Sequence, residues 1–211
     1  AVIPIRKFIP HSFLFMATRN GIVKKTSLIE YDSSRKDGII ALNLDEDDEL
    51  VNVALTDGEQ EIILATKKGQ AIRFHENEIR PTGRVTRGVK GIDLKNDDRI
   101  VSMDRIRKDG DILVITSQGF GKRSKVKNYR LQARGGMGVR NIKITSRNGH
   151  VISVKVIKKD DELMMISAEG VMIRLKAIDI PVKGRSTQGV IIMKLADGDR
   201  VVAVARVAIQ N

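Results

Sequence analysis

Residues 62–74 read IILATKKGQAIRF, and this stretch decides the fold. An apolar run rich in β-branched residues reaches a turn at Gly69 and then resumes. That pattern is typical of a β-hairpin closed by a tight turn. The same pattern occurs four times, in segments that begin at Phe13, Ile62, Ile112 and Leu163 and read FLFMATRNGIVKKTSL, IILATKKGQAIRF, ILVITSQGFGKRSKV and LMMISAEGVMIRLKAI.

Two series of glycines repeat with one period along the chain. The turn glycines are Gly21, Gly69, Gly119 and Gly170, and the second series is Gly38, Gly88, Gly138 and Gly189. Successive members lie 48 to 51 residues apart in the first series and 50 or 51 apart in the second. A second pair of short apolar runs follows each hairpin, for example VKGIDL and then RIVSM. Two independent markers therefore define one repeating unit.

Four strands in about 50 residues, repeated four times, predict an all-β, propeller-like array in which each unit is one blade. We expect repeats at approximately residues 13–60, 61–110, 111–160 and 161–211. Residues 1–12 are then the end of a preceding blade or a linker.

The charge balance indicates a polyanionic partner. Thirty-eight Lys and Arg against twenty-six Asp and Glu give 38 − 26 = +12, with a pI near 10.0. Such a chain suits nucleic acid, an anionic membrane surface or an acidic protein. The absence of cysteine favours an intracellular, reducing compartment. No apolar run approaches the roughly 18 residues of a membrane span, so we expect a cytoplasmic protein without a membrane partner.

The third quarter of the chain carries most of the excess charge. Residues 1–50, 51–100, 101–150 and 151–211 have net charges of −1, +1, +9 and +3. The acidic turn of the other repeats, such as DEDDE at 45–49, is replaced there by TSRNG at 145–149. An exposed turn needs polar residues but not positive ones, so we attribute the replacement to a phosphate backbone rather than to the fold.

Four basic residues share one place in the repeat, four residues after each turn glycine: Lys25, Arg73, Arg123 and Arg174. We expect them to form a solvent-facing belt, although a solvated face balanced by carboxylates is the alternative. Ten residues after the same glycines stand Tyr31, Ile79, Tyr129 and Ile180. Both tyrosines share a position with isoleucine, so we interpret them as packing residues rather than nucleophiles.

Most other classes of function find little support. Seven aromatic residues are too few for stacking on single strands, and no recognition helix offers itself for base readout, so contact with the duplex backbone is favoured. His11, His75 and His150 lie in different repeats without metal-ligand spacing, and there is no P-loop. We therefore predict a binding module with no catalytic residue, metal or cofactor of its own.

Several motifs resemble those of one known family. FMATRNGIVKKT, GFGKRSKV, TSRNG and GRSTQGVI are similar to stretches of the C-terminal domain of the A subunit of DNA gyrase, a bacterial type IIA topoisomerase. The resemblance implies the last four blades of a six-bladed β-pinwheel, whose blades exchange strands and whose basic outer edge is wrapped by duplex DNA. It also implies a nucleoid-associated parent enzyme in the bacterial cytoplasm.

The resemblance implies partners beyond DNA. In the parent enzyme these are the gyrase B subunit, together with a second A subunit, in an A2B2 assembly that uses ATP and Mg²⁺ for negative supercoiling. Two alternatives stay open. One is the C-terminal domain of the A subunit of topoisomerase IV, and the other is a propeller scaffold for an acidic protein partner.

A degenerate copy of the family's hallmark motif, the gyrase box QRRGGKG, lies in the stretch NYRLQARGGMGVRNIK at residues 128–143. Its residues are Gln132, Ala133, Arg134, Gly135, Gly136, Met137 and Gly138, with Ala133 and Met137 each in place of a basic residue. The functional box is expected upstream of Ala1. Glycines would let N–H groups approach a phosphate while Arg130, Arg134 and Arg140 supply charge, and an ordinary connection between strands is the alternative.

The predicted duplex contacts are basic residues of the hairpins and of the loops around the second glycine series: Lys24, Lys25, Arg73, Arg84, Arg87, Lys122, Arg123, Lys125, Lys127, Arg130, Arg134, Arg140, Arg174, Lys183 and Arg185. We expect them to be exposed, so that reversing Lys122, Arg123, Arg130 and Arg134 would abolish most duplex affinity and leave thermal stability nearly unchanged. Reversing Lys24, Lys25 and Arg35 would do less.

Overall fold

The computed structural model describes residues 2–33, 37–95 and 97–207 as an all-β chain with short 3-10 helices. The first two repeats supply β1 (Phe13–Thr18), β2 (Ile22–Ser27), β3 (Leu50–Thr56), β4 (Glu61–Thr66), β5 (Gln70–His75), β6 (Val89–Lys90) and β7 (Ile100–Arg105). The last two supply β8 (Asp111–Thr116), β9 (Phe120–Lys125), β10 (Val139–Arg140), β11 (Val151–Ile157), β12 (Glu162–Ser167), β13 (Met172–Lys176), β14 (Val190–Ile191) and β15 (Val201–Val207). A 3-10 helix follows each hairpin, at Leu28–Tyr31, Glu76–Glu78, Val126–Asn128 and Ala177–Asp179.

The blades exchange strands. The sheets have the orders β3-β1-β2-β6, β7-β4-β5-β10, β11-β8-β9-β14 and β15-β12-β13. Neighbouring strands in these sheets run antiparallel. In each of the first three sheets the fourth, outermost strand has two residues and comes from the next repeat, as where Val89 of β6 pairs with Val23 of β2. Among the described residues the fourth sheet has three strands. The four-blade pinwheel predicted from the sequence is confirmed.

The hairpin turns require glycine. The four turn glycines have φ between +73° and +87°, a left-handed conformation that costs a side chain free energy. Space is a second reason at Gly119, where a Cβ atom would lie 2.1 Å from the carbonyl oxygen of Met193. The hydroxyl of Thr18 or Thr66 then accepts the N–H four residues later, at 3.2 and 3.0 Å. Turn and hydroxyl together fix the register of the first two hairpins.

Each hydrophobic core lies between two blades. Alternate residues of β4 face opposite neighbours, so that Ile62 and Leu64 pack in the cluster with the first blade and Ile63 and Ala65 in the cluster with the third. A third cluster joins the last two blades. Because both faces of the central strands are buried, these strands are apolar throughout instead of alternating. Tyr129 is 1% exposed in the second cluster, as its repeat position predicted.

The inner strands of the four sheets surround a common axis. Strand β3 lies against β7, β7 against β11 and β11 against β15. Side chains join them, as where Ser102 and Asp104 of β7 accept the N–H groups of Val154 and Val156 at 2.9 and 2.8 Å. In the described part of the chain, no helix has the length and apolar character needed to cross a membrane.

Candidate nucleic-acid interface

The basic position four residues after the turn glycine joins one blade to the next. In the first three repeats the side chain there donates to a main-chain carbonyl at the 3-10 helix of the following repeat: Lys25 Nζ to Glu76 at 2.9 Å, Arg73 Nη1 to Tyr129 at 2.9 Å and Arg123 Nε to Ile180 at 2.7 Å. The expected solvent-facing belt is therefore wrong for Lys25 and Arg123, which are 4% and 5% exposed. Arg73 is half-buried, and Arg174 is exposed. We call the three joining residues, Lys25, Arg73 and Arg123, the struts.

Each strut also has a partner near the start of its own hairpin. Arg73 Nε donates to Glu61 at 2.7 Å, and Arg123 Nη1 donates to the buried carboxylate of Asp111 at 3.1 Å. The ammonium group of Lys25 instead lies 5.2 Å from the centre of the Phe13 ring. In the first three blades the long cationic side chain at this position reaches the carbonyl oxygens of the next blade.

Lys24 and Lys122 stand one residue before two of the struts and are also buried. Lys24 Nζ donates to the carbonyls of Ala41 and Arg84, and Lys122 Nζ to those of Gly184 and Arg185 at 2.5 and 2.6 Å. Burial lowers the pKa of both amines, and brings that of Lys122 to about 8. The expected exposure is wrong for both residues, because their amines bind loop carbonyls inside the protein. Arg35 lies outside the described residues.

Three arginines link the loops at the outer edge. Arg84, Arg134 and Arg185 each stand four residues before a glycine of the second series. Each guanidinium donates through Nη1 to a main-chain carbonyl in the preceding repeat. The acceptor stands two residues after the second-series glycine of that preceding repeat: Ile40 for Arg84 at 2.9 Å, Lys90 for Arg134 at 2.9 Å and Arg140 for Arg185 at 2.6 Å. We call these three the clasp arginines. They are half-buried, so each retains donors that face solvent.

The gyrase-box-like loop lies on the outer edge of the second blade, where β10 pairs with β5. Gly138 has φ of +71°, and a Cβ there would lie 2.4 Å from the carbonyl oxygen of Ala71. The N–H of Gly135 donates to Gly91 at 2.7 Å, so it is not free to hold an anion. For these two glycines the structure supports the alternative, an ordinary connection between strands.

The rest of the loop presents side chains to solvent. Ala133 and Met137 are exposed, and Gly136 has room for a side chain, since the nearest atoms to an added Cβ lie 3.7 and 3.8 Å away. Gln132 accepts from Arg130 Nε at 2.9 Å. The loop thus supplies positive charge through its side chains rather than through a nest of main-chain N–H groups.

The remaining predicted contacts lie at or near the surface. Exposed members of the set are Arg87, Lys127, Arg130, Arg140, Arg174 and Lys183, while Lys125 is half-buried. Three of the seven are held in ion pairs, Arg87 with Asp45, Lys125 with Asp111 and Arg174 with Glu162. Arg140 and Arg185 line a cleft of about 670 Å³ at the outer edge, together with Lys68 and Lys95.

Sequence reasoning missed two features of this edge. Lys90 in β6 occupies the position of Arg140 in β10, two residues after the second-series glycine, and it is exposed beside Asp93 at 3.2 Å. The clasp arginines were predicted as duplex contacts but not as links between loops. Spacing from the second-series glycines was the available signal for both features. The clasp arginines stand four residues before such a glycine, and Lys90 and Arg140 stand two residues after one.

The replaced acidic turn has a structural cause. Asp48, Asp98 and Asp199 each accept the N–H of the residue before a turn glycine, for example Lys68 at 2.9 Å. In the third repeat the buried amide of Asn148 donates to the carbonyls of Lys143 and Gln188 at 2.9 and 3.0 Å. A carboxylate has no N–H and could not donate these bonds. The fold therefore does explain why asparagine replaces aspartate at position 148, and our expectation that it would not is wrong there.

The histidines do not form a metal centre. Within residues 2–33, 37–95 and 97–207, no group of three or more His, Cys, Asp and Glu side chains could hold a metal ion. His75 Nδ1 accepts the N–H of Asn77 at 3.2 Å and so caps a 3-10 helix.

Comparison with known proteins gives one consistent family. The family model described as DNA gyrase C-terminal domain, beta-propeller, matches residues 12–57, 60–107, 110–158 and 161–208. The DNA gyrase A subunit of Halalkalibacterium halodurans is 59% identical over 210 residues, which are 100% of this chain and 25% of the relative. The DNA gyrase A subunit of Escherichia coli K12 is 41% identical over 208 residues, or 99% and 24%. The chain therefore spans about a quarter of the length of these relatives.

Two solved structures share the architecture. The C-terminal domain of DNA topoisomerase IV superposes with a TM-score of 0.91 at 33% identity, over 97% of this chain and 64% of that one. The DNA gyrase A C-terminal domain superposes with a TM-score of 0.87 at 24% identity, over 96% and 68%. At that identity the second likeness concerns the fold alone.

Proposed function

The chain belongs to the DNA gyrase C-terminal domain family, and from this premise we propose that it binds duplex DNA without sequence preference and bends it around its outer edge. The observation that supports the proposal is the recurrence of cations on the outermost strands and on the loops leading into them. Exposed members of this group are Arg80, Arg87, Lys90, Lys127, Arg130, Arg140 and Lys183. Such an array suits a regular row of phosphates better than a single small anion.

The balance of charge along the edge favours the third repeat. In the described residues Lys127, Arg130 and Arg140 of this repeat take part in no ion pair, so their charges are available to phosphates. In the loop of residues 79–92, by contrast, Arg87 pairs with Asp45 and Lys90 pairs with Asp93. We therefore infer that the duplex contacts the edge most closely at the loop of residues 128–143.

The physical cost of bending sets how many contacts are needed. Smooth bending of a 20 to 30 bp duplex by tens of degrees costs on the order of 1 to 6 kcal/mol. Several phosphate contacts must offset that cost. If about eight phosphates are neutralised, the logarithm of the binding constant should fall with the logarithm of salt concentration with a slope of roughly −7.

Fluorescence anisotropy with mixed-sequence duplexes over a range of salt concentrations tests the binding step. The proposal expects similar affinity for unrelated sequences and a steep negative slope. A slope near zero, or strong preference for one sequence, would contradict it.

Closure of a nicked circular DNA by ligase tests the bending step. The circle is sealed in the presence of the 211-residue chain, and the linking number is read afterwards. A distribution that shifts with added protein and returns at high salt would support wrapping by these four blades. Binding without any shift would mean that the chain holds duplex DNA without wrapping it.

The parent activity follows from the same premise. We propose that the chain acts within a bacterial DNA gyrase in the cytoplasm at the nucleoid, in an A2B2 assembly that contains gyrase B subunits and uses ATP and Mg²⁺, where wrapping supports negative supercoiling. This domain would then supply DNA binding, and the chemistry would reside elsewhere in the enzyme.

A second candidate is the C-terminal domain of the A subunit of topoisomerase IV. The observation that favours it is the TM-score of 0.91 to the C-terminal domain of DNA topoisomerase IV. Identities of 59% and 46% to gyrase A subunits favour the first candidate. Sequencing the gene upstream of Ala1 separates the two, because an intact gyrase box is expected only of gyrase.

A further inference from the structure

Four basic side chains gather where the inner strands of three blades begin. Arg99, His150 and Arg200 each stand directly before an inner strand, β7, β11 and β15 respectively. Lys67 stands at the hairpin turn after β4. We call these four residues the axial cluster. Neither the family assignment nor the outer edge accounts for it.

Main-chain hydrogen bonds bring the axial cluster together across three blades. The N–H of Lys67 donates to Arg99 at 2.8 Å, and the carbonyl of Lys67 accepts from Val151, next to His150, at 3.0 Å. The carbonyl of His150 accepts from Ser117 at 2.8 Å, and Ser117 in turn accepts from Val201, next to Arg200, at 2.9 Å. The four residues therefore follow one another along an arc around the axis.

The electrostatics of the axial cluster lack a compensating carboxylate. Burial lowers the pKa of His150, and the positive charges of Lys67, Arg99 and Arg200 lower it further. Across residues 2–33, 37–95 and 97–207, no ion pair involves these four side chains. The nearby carboxylates of Asp98 and Asp199 are turned toward the N–H groups of the hairpin turns and of Arg99 and Arg200. Like charges thus meet here without an internal partner.

The first blade has an ion pair at this place that the other three blades lack. There Arg19 occupies the position of Lys67, and Glu49 occupies the position of Arg99, His150 and Arg200. Arg19 Nη1 pairs with Glu49 Oε1 at 2.9 Å. In blades two to four the residue at the position of Glu49 is basic, and the turn position holds Lys67 in blade two, Ser117 in blade three and Ala168 in blade four. The repulsion is therefore between blades, where Lys67, Arg99 and Arg200 act on His150.

We propose that the axial cluster binds an acidic peptide segment, whose carboxylates take the place that Glu49 holds in the first blade. The cations belong to three successive blades, so the ligand is an extended chain with several carboxylates rather than one small ion.

The test measures binding of a fluorescein-labelled peptide of alternating Glu and Gly, of about twelve residues, which extends to about 40 Å. A peptide with Gln in place of Glu is the control ligand. Arg99→Gln and Arg200→Gln should each weaken binding about two- to fivefold, as expected for exposed ion pairs. Arg130→Gln and Arg140→Gln on the outer edge remove the same charge and should leave peptide binding nearly unchanged.

An NMR titration of the His150 imidazole gives a readout that a loss of folding cannot imitate. Carboxylates placed among Lys67, Arg99 and Arg200 offset their charge, so saturating peptide should raise the pKa of His150. The resonance is assigned by its loss in His150→Gln. The same variants are tested for duplex binding, so that failure of this proposal and failure of the DNA proposal are read separately.

Each outcome decides the question. Weaker peptide binding in the axial variants, together with an upward shift of the His150 pKa, supports the proposal. Equal peptide binding by all variants, or an unmoved His150 titration, overturns it. If the axial variants lose duplex affinity as much as the outer-edge variants do, the axial cluster is a DNA contact and the peptide proposal is wrong.

Discussion

Two sets of basic residues in the third repeat have opposite surroundings. Arg123 and Lys122 lie inside the protein and bind carbonyl oxygens of the fourth repeat. Arg130 and Arg140 lie on the outer edge in solvent, a few residues further along the chain. The difference teaches that a charge recurring once per blade can serve contacts between blades as well as a ligand. The direction of the side chain and its burial, not its recurrence, distinguish a contact between blades from a contact with a ligand.

The largest effect is expected at a strut. Among the described residues, Arg123→Ala would leave the buried carboxylate of Asp111 paired with Lys125 alone, and it would remove the donors to the carbonyls of Ile178 and Ile180. Breaking a buried pair in this way costs roughly 3 to 5 kcal/mol of unfolding free energy. Urea denaturation of the variant and the wild type measures it.

Arg174→Ala is the matched control for that comparison, because it removes the same residue type from the same repeat position in an exposed setting. Its expected cost is about 0.5 kcal/mol or less. Equal losses at Arg123 and Arg174 would show that the strut contacts do not contribute to stability, and the distinction between struts and edge would fail.

The next effect is a pH dependence at Lys122. Burial lowers its folded-state pKa to about 8, below the value of 10.5 for an unburied lysine, so the unfolded chain holds more protons between pH 8 and 10.5. Unfolding free energy should therefore rise with pH across this window, by on the order of 2 kcal/mol. Lys122→Met removes this titrating group, so the rise should be smaller in the variant when both proteins are unfolded by urea at several pH values. The part that remains belongs to other buried amines such as Lys24.

How much of this the sequence predicts differs between fold and site. Glycine spacing and hairpin patterns predict the four blades, because turn geometry at residues such as Gly69 is local. The direction of a side chain on a strand buried on both faces is not local, and so Lys122 and Arg123 were placed in solvent. Their partners, the carbonyl groups at Ile180 and Gly184, lie some 60 residues away and have no sequence signature.

A smaller effect is expected from neutralising the outer edge. Arg130→Gln and Arg140→Gln each remove one exposed charge without a buried partner, so the thermal midpoint should stay within about 1 °C. The slope of duplex affinity against salt should become shallower by about 1 for each phosphate that is no longer neutralised. Salt-dependent anisotropy with the two single variants and the double variant measures this. An unchanged slope in the double variant would exclude this part of the edge from the duplex path.

The smallest effect on duplex binding is expected at a clasp arginine, which contacts a neighbouring loop and also lines the outer edge. Arg185 donates one hydrogen bond to the carbonyl of Arg140 at 2.6 Å and turns its remaining donors toward the cleft at the outer edge. Arg185→Gln should therefore cost about 0.5 to 1.5 kcal/mol of stability, the usual contribution of one hydrogen bond, and should reduce the salt slope by less than about 1. Arg185→Lys restores the charge but not the planar donor geometry, so it should recover the salt slope more than the stability. If Arg185→Lys recovers stability alone, Arg185 joins the blades as a strut does, and it does not belong to the duplex contacts.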